Sequence, residues 1–287
     1  MFPAPFEYHR ANSIEEALQL LEKYEGEAKL LAGGHSLIPT MKLRLNTPAH
    51  LIDIRTIPGF SGVSESGSTI VIGGGTPHAE IERNAMIQQK APALAQAASV
   101  IGDPQVRNMG TIGGSLAHAD PAADYPAAIL AYDAEIVAVS ADGERTIPAS
   151  EFFVDLFTTE LEEGEIIKEV RLSADDATVR SAYLKFPHPA SRFAVVGCAV
   201  RLKMNGDTCQ DARVAFTGVA ATAFRDTAVE QALTGNVLDD ATIKAAAQLA
   251  AEDADLELME DHFASEDYRK HLAKVYAERA ICAALGC

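Results

Sequence analysis

Two double-glycine segments constrain this chain more than any other feature. They are Ala32-Gly33-Gly34-His35-Ser36 and Thr111-Ile112-Gly113-Gly114-Ser115. Each opens on a small residue, closes on a serine, and follows residues that read as strand or turn. A glycine pair brings main chain close to another group with no Cβ between them, and it reaches φ > 0 freely. Successive amide N–H groups in such a turn form a concave anion site. Two such sites on one fold match the two halves of a pyrophosphate, and therefore a dinucleotide. Singly, either pair reads more readily as a plain turn than as a binding loop.

The usual nucleotide signatures are absent. No G-x-x-x-x-G-K-[ST] occurs, which excludes phosphate-loop chemistry. Neither segment continues into G-x-G-x-x-G with a following acid, and Gly73-Gly74-Gly75 runs into Thr76-Pro77 instead. The chain has 287 residues, of which 48% are hydrophobic, so a large core is available. A formal net charge of −17 argues against nucleic acid and anionic membranes as partners. No apolar run approaches a membrane span, and no secretory signal is visible at Met1-Phe2-Pro3-Ala4-Pro5. Cys198, Cys209, Cys282 and Cys287 form no C-x-x-C pair and have no accompanying histidine cluster. No metal or iron–sulfur site is therefore expected on this chain, and a reducing, cytoplasmic setting fits.

The pattern predicts strand, helix, strand at the start. Ser13 and Glu16 form a capping-box pair, with Ala17, Leu18, Leu20, Leu21 and Tyr24 as the apolar face and Gly26 as the stop. Short strands are expected at 6–9, 29–32 and 51–54. Helical character over 37–45 is interrupted early by Pro39. Beyond it, 68–73 reads as a strand, strands at 133–139, 145–148 and 166–172 are expected to form an antiparallel sheet, and helices are expected over 77–87 and 92–100. Residues 174–179 read as a linker. Strands at 183–186, 194–204 and 212–219 follow, with Asn205-Gly206-Asp207 as a hairpin turn. The tail from Thr227 reads as helical, and Glu252, Asp253, Asp255, Glu257, Glu260 and Asp261 as a solvated helix face.

Around the second glycine pair the chain reads Ile101-Gly102-Asp103-Pro104-Gln105-Val106-Arg107-Asn108-Met109-Gly110-Thr111-Ile112-Gly113-Gly114-Ser115-Leu116-Ala117-His118-Ala119-Asp120-Pro121-Ala122-Ala123-Asp124. This stretch and Ala32 to Ser36 resemble the FAD-binding medium subunits of the molybdenum hydroxylases. That family includes xanthine dehydrogenase and the bacterial aerobic carbon monoxide dehydrogenases, and the carbon monoxide dehydrogenase branch is the nearest. The likeness covers the whole chain, Tyr183-Leu184-Lys185-Phe186 included.

The resemblance implies an α+β fold. A two-lobed FAD-binding domain of the vanillyl-alcohol-oxidase (PCMH) type would span 1–176, with lobes near 1–55 and 56–176. A C-terminal flavoprotein domain, a three-stranded antiparallel sheet with a helical bundle, would span 177–287. It also implies non-covalent FAD, with molybdopterin and 2Fe–2S clusters held only by partner large and small subunits in a dimer of heterotrimers. By resemblance, Ala32, Gly33, Gly34, His35 and Ser36, with Thr111, Ile112, Gly113, Gly114 and Ser115, bind the diphosphate and ribityl region. Ser115 stands where the family often has asparagine.

Asp124 matches a contact to the sugar-phosphate region, and Ile101 and Ile167 match apolar lining positions. Lys185 matches a lysine near the isoalloxazine, and Phe193 an aromatic over the flavin ring. From the residues alone, Asp124 also reads as a helix cap, Lys185 as an exposed strand charge and Phe193 as core. Arg107 reads either as a phosphate contact or as a tie within its own loop. No catalytic residue is expected. A stand-alone FAD oxidoreductase of the same superfamily would need a buried catalytic acid or a His or Cys flavin link, and none stands out.

Overall fold

The computed structural model describes residues 1–287. The first layer contains β1 (Glu7–Arg10), α1 (Ile14–Lys23), β2 (Ala28–Leu31), α2 (Leu37–Lys42) and β3 (His50–Asp53). Its three strands are parallel, in the order β1-β3-β2. Parallel neighbours need a crossover, and α1 and α2 supply the two connections. Ser13 Oγ accepts the Glu16 amide at 3.1 Å, whereas Glu16 Oε2 accepts from the Asn12 amide at 2.8 Å. The capping box thus closes one residue further out than its pattern suggests. Pro39 does not interrupt α2, because it falls in the first turn, where amides have no intrahelical acceptor to lose.

The second layer runs through β4 (Val63–Ser66), β5 (Thr69–Gly73), α3 (His78–Arg83), α4 (Ala85–Lys90), α5 (Pro92–Ser99), α6 (Pro104–Arg107), α7 (Ile112–His118) and α8 (Tyr125–Ala131). It continues with β6 (Glu135–Ser140), β7 (Gly143–Pro148), α9 (Ala149–Phe152), β8 (Phe153–Asp155), β9 (Thr158–Thr159) and β10 (Ile166–Ser173). The main sheet is antiparallel, in the order β4-β5-β10-β6-β7. The single helix expected over 77–87 is broken at Asn84. Its Oδ1 turns back to accept the amides of Met86 and Ile87 and starts a new helix. All seven residues of α8 are buried. A helix apolar on every side belongs inside, and its alanines let it press on the third layer.

That layer is β11 (Val179–Pro187), β12 (Ala194–Asn205), β13 (Thr208–Thr217) and a two-residue edge strand β14 (Phe224–Arg225). The expected hairpin pairs Asn205 with Thr208 around Gly206-Asp207, with Gly206 at φ +59°. The helices α10 (Thr227–Leu233), α11 (Asp240–Ala247) and α12 (Glu266–Leu285) cover one face.

Two sequence readings fail here. Residues 251–264 are irregular rather than helical. Their acids serve turns and ion pairs: Asp261 accepts the amides of Phe263 and Ala264, and Glu252 meets Lys270 and Lys274. The segment 174–179, which reads as a plain linker, carries an anchor. Asp175 accepts from Tyr132 Oη and Ser181 Oγ, each at 2.8 Å, and pairs with Arg201.

Candidate functional site

The glycine segments come together, by a route their sequence does not reveal. The first follows β2 and turns into α2. The amides of Gly33, Gly34, His35 and Ser36 donate to no acceptor within the protein. Gly34 has φ +74°, the left-handed turn that curls this run of donors. The second segment is not a loop. Thr111 caps α7, its Oγ1 accepting the Gly114 amide at 3.1 Å, so Gly113 and Gly114 lie in the first helical turn. The Ile112 amide reaches Thr76 O, that of Gly113 reaches Gly74 O, and that of Ser115 reaches Thr111 O. These four amides are all used inside the protein, which corrects the reading of a second amide nest.

The glycines of the second segment serve close packing instead. A Cβ on Gly113 would stand 2.6 Å from Gly74 O. The first segment leans on the same junction, since a Cβ on Gly33 would stand 2.5 Å from both Gly110 Cα and Met109 O. Gly74 and Gly110 therefore belong to the site. The Gly73-Gly74-Gly75 run was the signal for one of them, but it reads only as a bend until its partner strand is known.

This junction floors a cleft of about 1170 Å³ between the first layer and the second. It is walled by Ala32, Gly33, Gly34, His35, Ser36, Ile101, Thr111, Gly113, Gly114, Ser115, Asp124, Ile167 and Phe193. It exceeds the roughly 300–1,000 Å³ of pockets for drug-sized ligands.

Two predicted residues fall outside the wall. Ile112 points into the main core, fully buried. Lys185 lies behind the wall, its side chain only 3% exposed. Its ammonium donates to Val100 O at 2.8 Å and Arg192 O at 2.9 Å, and meets both Asp124 oxygens at 2.9 and 3.0 Å. All three of its protons are thus engaged, and none remains for a ligand. Lys185 is thus not the exposed strand charge its position suggests; it holds Asp124 and the loop carrying Phe193.

Asp124 is buried, and Tyr183 Oη donates to it at 2.6 Å. Burial pushes its carboxyl up from the usual range, against the opposing pull of Lys185 and Tyr183. No cap bond to α8 forms. Phe193 is 44% exposed, an aromatic face turned to the cleft rather than to the core. Arg107 ties its own loop: Nε meets Glu82 at 2.8 Å and Nη1 donates to Ile101 O at 3.1 Å.

Sequence reasoning passed over His78. It lies in the cleft floor beneath Gly110, with Nδ1 buried and unpartnered. Burial, reinforced by the positive charges of His35 and Arg107, lowers its pKa to about 3 from 6.5. Between those values the unfolded chain binds a proton that the folded chain refuses. The stability contributed is therefore full above pH 6.5 and lost as pH falls toward 3. His78→Asn is expected to flatten the pH dependence of unfolding free energy by about 1 kcal/mol per pH unit between pH 6 and 4. Urea melts at several pH values read this, and identical slopes in both proteins refute it.

Residues 4–174 match the FAD binding domain in molybdopterin dehydrogenase, and residues 181–284 match the CO dehydrogenase flavoprotein C-terminal domain. The chain belongs to this family of FAD-binding dehydrogenase subunits.

Among its relatives, it is 42% identical to the carbon monoxide dehydrogenase medium chain of Hydrogenophaga pseudoflava, over 99% of this chain and 98% of that one. It is 38% identical to the 6-hydroxypseudooxynicotine dehydrogenase complex subunit alpha of Paenarthrobacter nicotinovorans, over 99% and 96%. A solved structure of the Hydrogenophaga pseudoflava carbon monoxide dehydrogenase lacking the Mo-pyranopterin moiety superposes with a TM-score of 0.95 at 44% identity, covering 100% of this chain and 99% of that one. No helix here is long and apolar enough to cross a membrane.

The cleft fits the cofactor the family implies. Its unpaired Gly33–Ser36 amides suit a diphosphate. The apolar side chains Ile101, Ile167 and Phe193 suit a planar ring.

Proposed function

We propose that this chain is the flavoprotein subunit of a heterotrimeric molybdenum hydroxylase of the carbon monoxide dehydrogenase type. Residues 1–176 would form its FAD-binding domain and 177–287 its C-terminal domain. Substrate would be oxidised at molybdopterin on a large subunit, and 2Fe–2S clusters of a small subunit would relay the electrons in a dimer of heterotrimers, in the cytoplasm. Bound FAD supplies a two-electron store that fills and empties one electron at a time.

The residues of this chain bind and orient. The run of free amides at Gly33–Ser36 carries the proposal, since it offers donors to a dianion on an acidic protein without a basic field. Ala32, Thr111, Gly113, Gly114 and Ser115 shape the wall beside it. Asp124, fixed by Lys185 and Tyr183, would face the sugar-phosphate region of the cofactor. Phe193, Ile101 and Ile167 would cover the ring and exclude water. No proton transfer falls to His35 or His118.

The test is purification of the chain alone and with its neighbouring gene products. Near one FAD per chain is expected, with co-elution of a molybdopterin and an iron–sulfur chain. A colourless protein that ignores added FAD overturns the assignment. A lone flavoprotein that oxidises substrate without partners supports the stand-alone oxidoreductase instead.

A further inference from the structure

The parallel register of the first layer assembles a group that lies outside the cofactor cleft. Glu7 and His9 are alternate residues on β1 and so project from one face. His50 on β3 pairs in register with Glu7. His9 Nε2 lies 3.1 Å from His50 Nδ1, and Glu7 Oε2 lies 3.6 Å from His50 Nδ1 and 4.0 Å from His9 Nε2. All the ligand atoms fall within 4.8 Å of one another. A tetrahedral zinc ion with bonds of about 2.0–2.1 Å holds its ligands about 3.3 Å apart. The three separations bracket that edge, so the triangle has the size of one face of a zinc tetrahedron.

The two imidazoles are also braced. Tyr24, just past the end of α1, stacks on His50 with ring centroids 3.7 Å apart and on His9 at 5.0 Å. Both histidine side chains are mostly buried, at 21% and 14% exposure, while Glu7 is 73% exposed and free to swing.

We infer that Glu7, His9 and His50 form a binding site for a borderline divalent cation of the zinc class, with a fourth position open to water. Two imidazoles and one carboxylate select Zn²⁺, Co²⁺ or Ni²⁺ over Mg²⁺ and Ca²⁺. The cation would take the place of the His9 Nε2–His50 Nδ1 hydrogen bond, with the N–H of each ring carried on its other nitrogen. The cation clips β1 to β3 and orders Tyr24, whose ring is also part of the cleft wall.

The test uses the untagged full-length chain carrying Cys287→Ser, which removes the exposed thiol as a competing ligand. After chelator treatment it is titrated with Zn²⁺ and Co²⁺, with or without flavin bound, and with Mg²⁺ as the control. One Zn²⁺ per chain and visible Co²⁺ bands of tetrahedral intensity are expected. His50→Gln and Glu7→Gln should each weaken binding by at least about 10-fold with flavin content unchanged. Should the His50 variant fail to fold, exposed Glu7 keeps the test decisive. Affinity equal to wild type in Glu7→Gln, or no Zn²⁺ uptake beyond that of Mg²⁺, overturns the inference.

Discussion

Gly33→Ala is expected to weaken flavin binding about 10–100-fold, the equivalent of the roughly 1–3 kcal/mol that overpacking costs. The backbone at Gly33 is outside the left-handed region, so alanine is conformationally acceptable there. The penalty is one of space alone. The new Cβ would stand 2.5 Å from Gly110 Cα and Met109 O, both main-chain atoms that cannot rotate away. The two glycine segments must separate, and the amides of Gly33–Ser36 move relative to Asp124 and Phe193. Flavin absorbance per mole of purified chain, and titration of the stripped protein with FAD, measure this directly. Circular dichroism should show the fold retained. A Gly33→Ala chain that keeps a full flavin complement would mean the junction does not set the geometry of the site.

The second large effect is on stability. Lys185→Met should destabilise the chain by about 3–5 kcal/mol, the range for removing one partner of a buried ion pair. Asp124 would then be left as a buried carboxyl with Tyr183 as its remaining side-chain partner. Because burial already raises the pKa of that carboxyl, it takes up a proton more easily in the variant, and the loss should shrink as pH falls. Asp124→Asn combined with Lys185→Met should cost less than the two single changes together, by more than about 1 kcal/mol, because the two side chains touch. Denaturant midpoints give all three values. A loss below about 1 kcal/mol, typical of a surface lysine, would contradict the buried position. The variant should also loosen the turn at Arg192, whose carbonyl loses its donor, and so alter the environment of Phe193.

Much of the architecture was legible from local chemistry. Ser13 and the Gly206 turn announce a helix start and a hairpin, and each does so through atoms within a few residues. The site was legible through resemblance and through glycine, but the two glycine pairs turned out to differ. The first is a curl of free donors. The second is the opening turn of a helix, whose glycines admit a neighbouring strand. Adjacent glycines permit both outcomes, and the choice lies with Gly74, more than thirty residues away in the chain. Lys185 misled for a related reason: a strand lysine is normally exposed, and only the meeting of β11 with the start of α8 and the Val100 carbonyl buries it.

By itself, then, the order of residues determined many of the elements, several of their caps and turns, and the family, because propensity, capping and motif spacing act over a handful of neighbouring positions. The tertiary structure alone decided which amides stay unpaired, which charge is sealed behind the wall, and that His9 meets His50 across 41 positions. Those outcomes depend on strand register and on backbone-to-backbone approach, which bring together atoms that no local pattern connects.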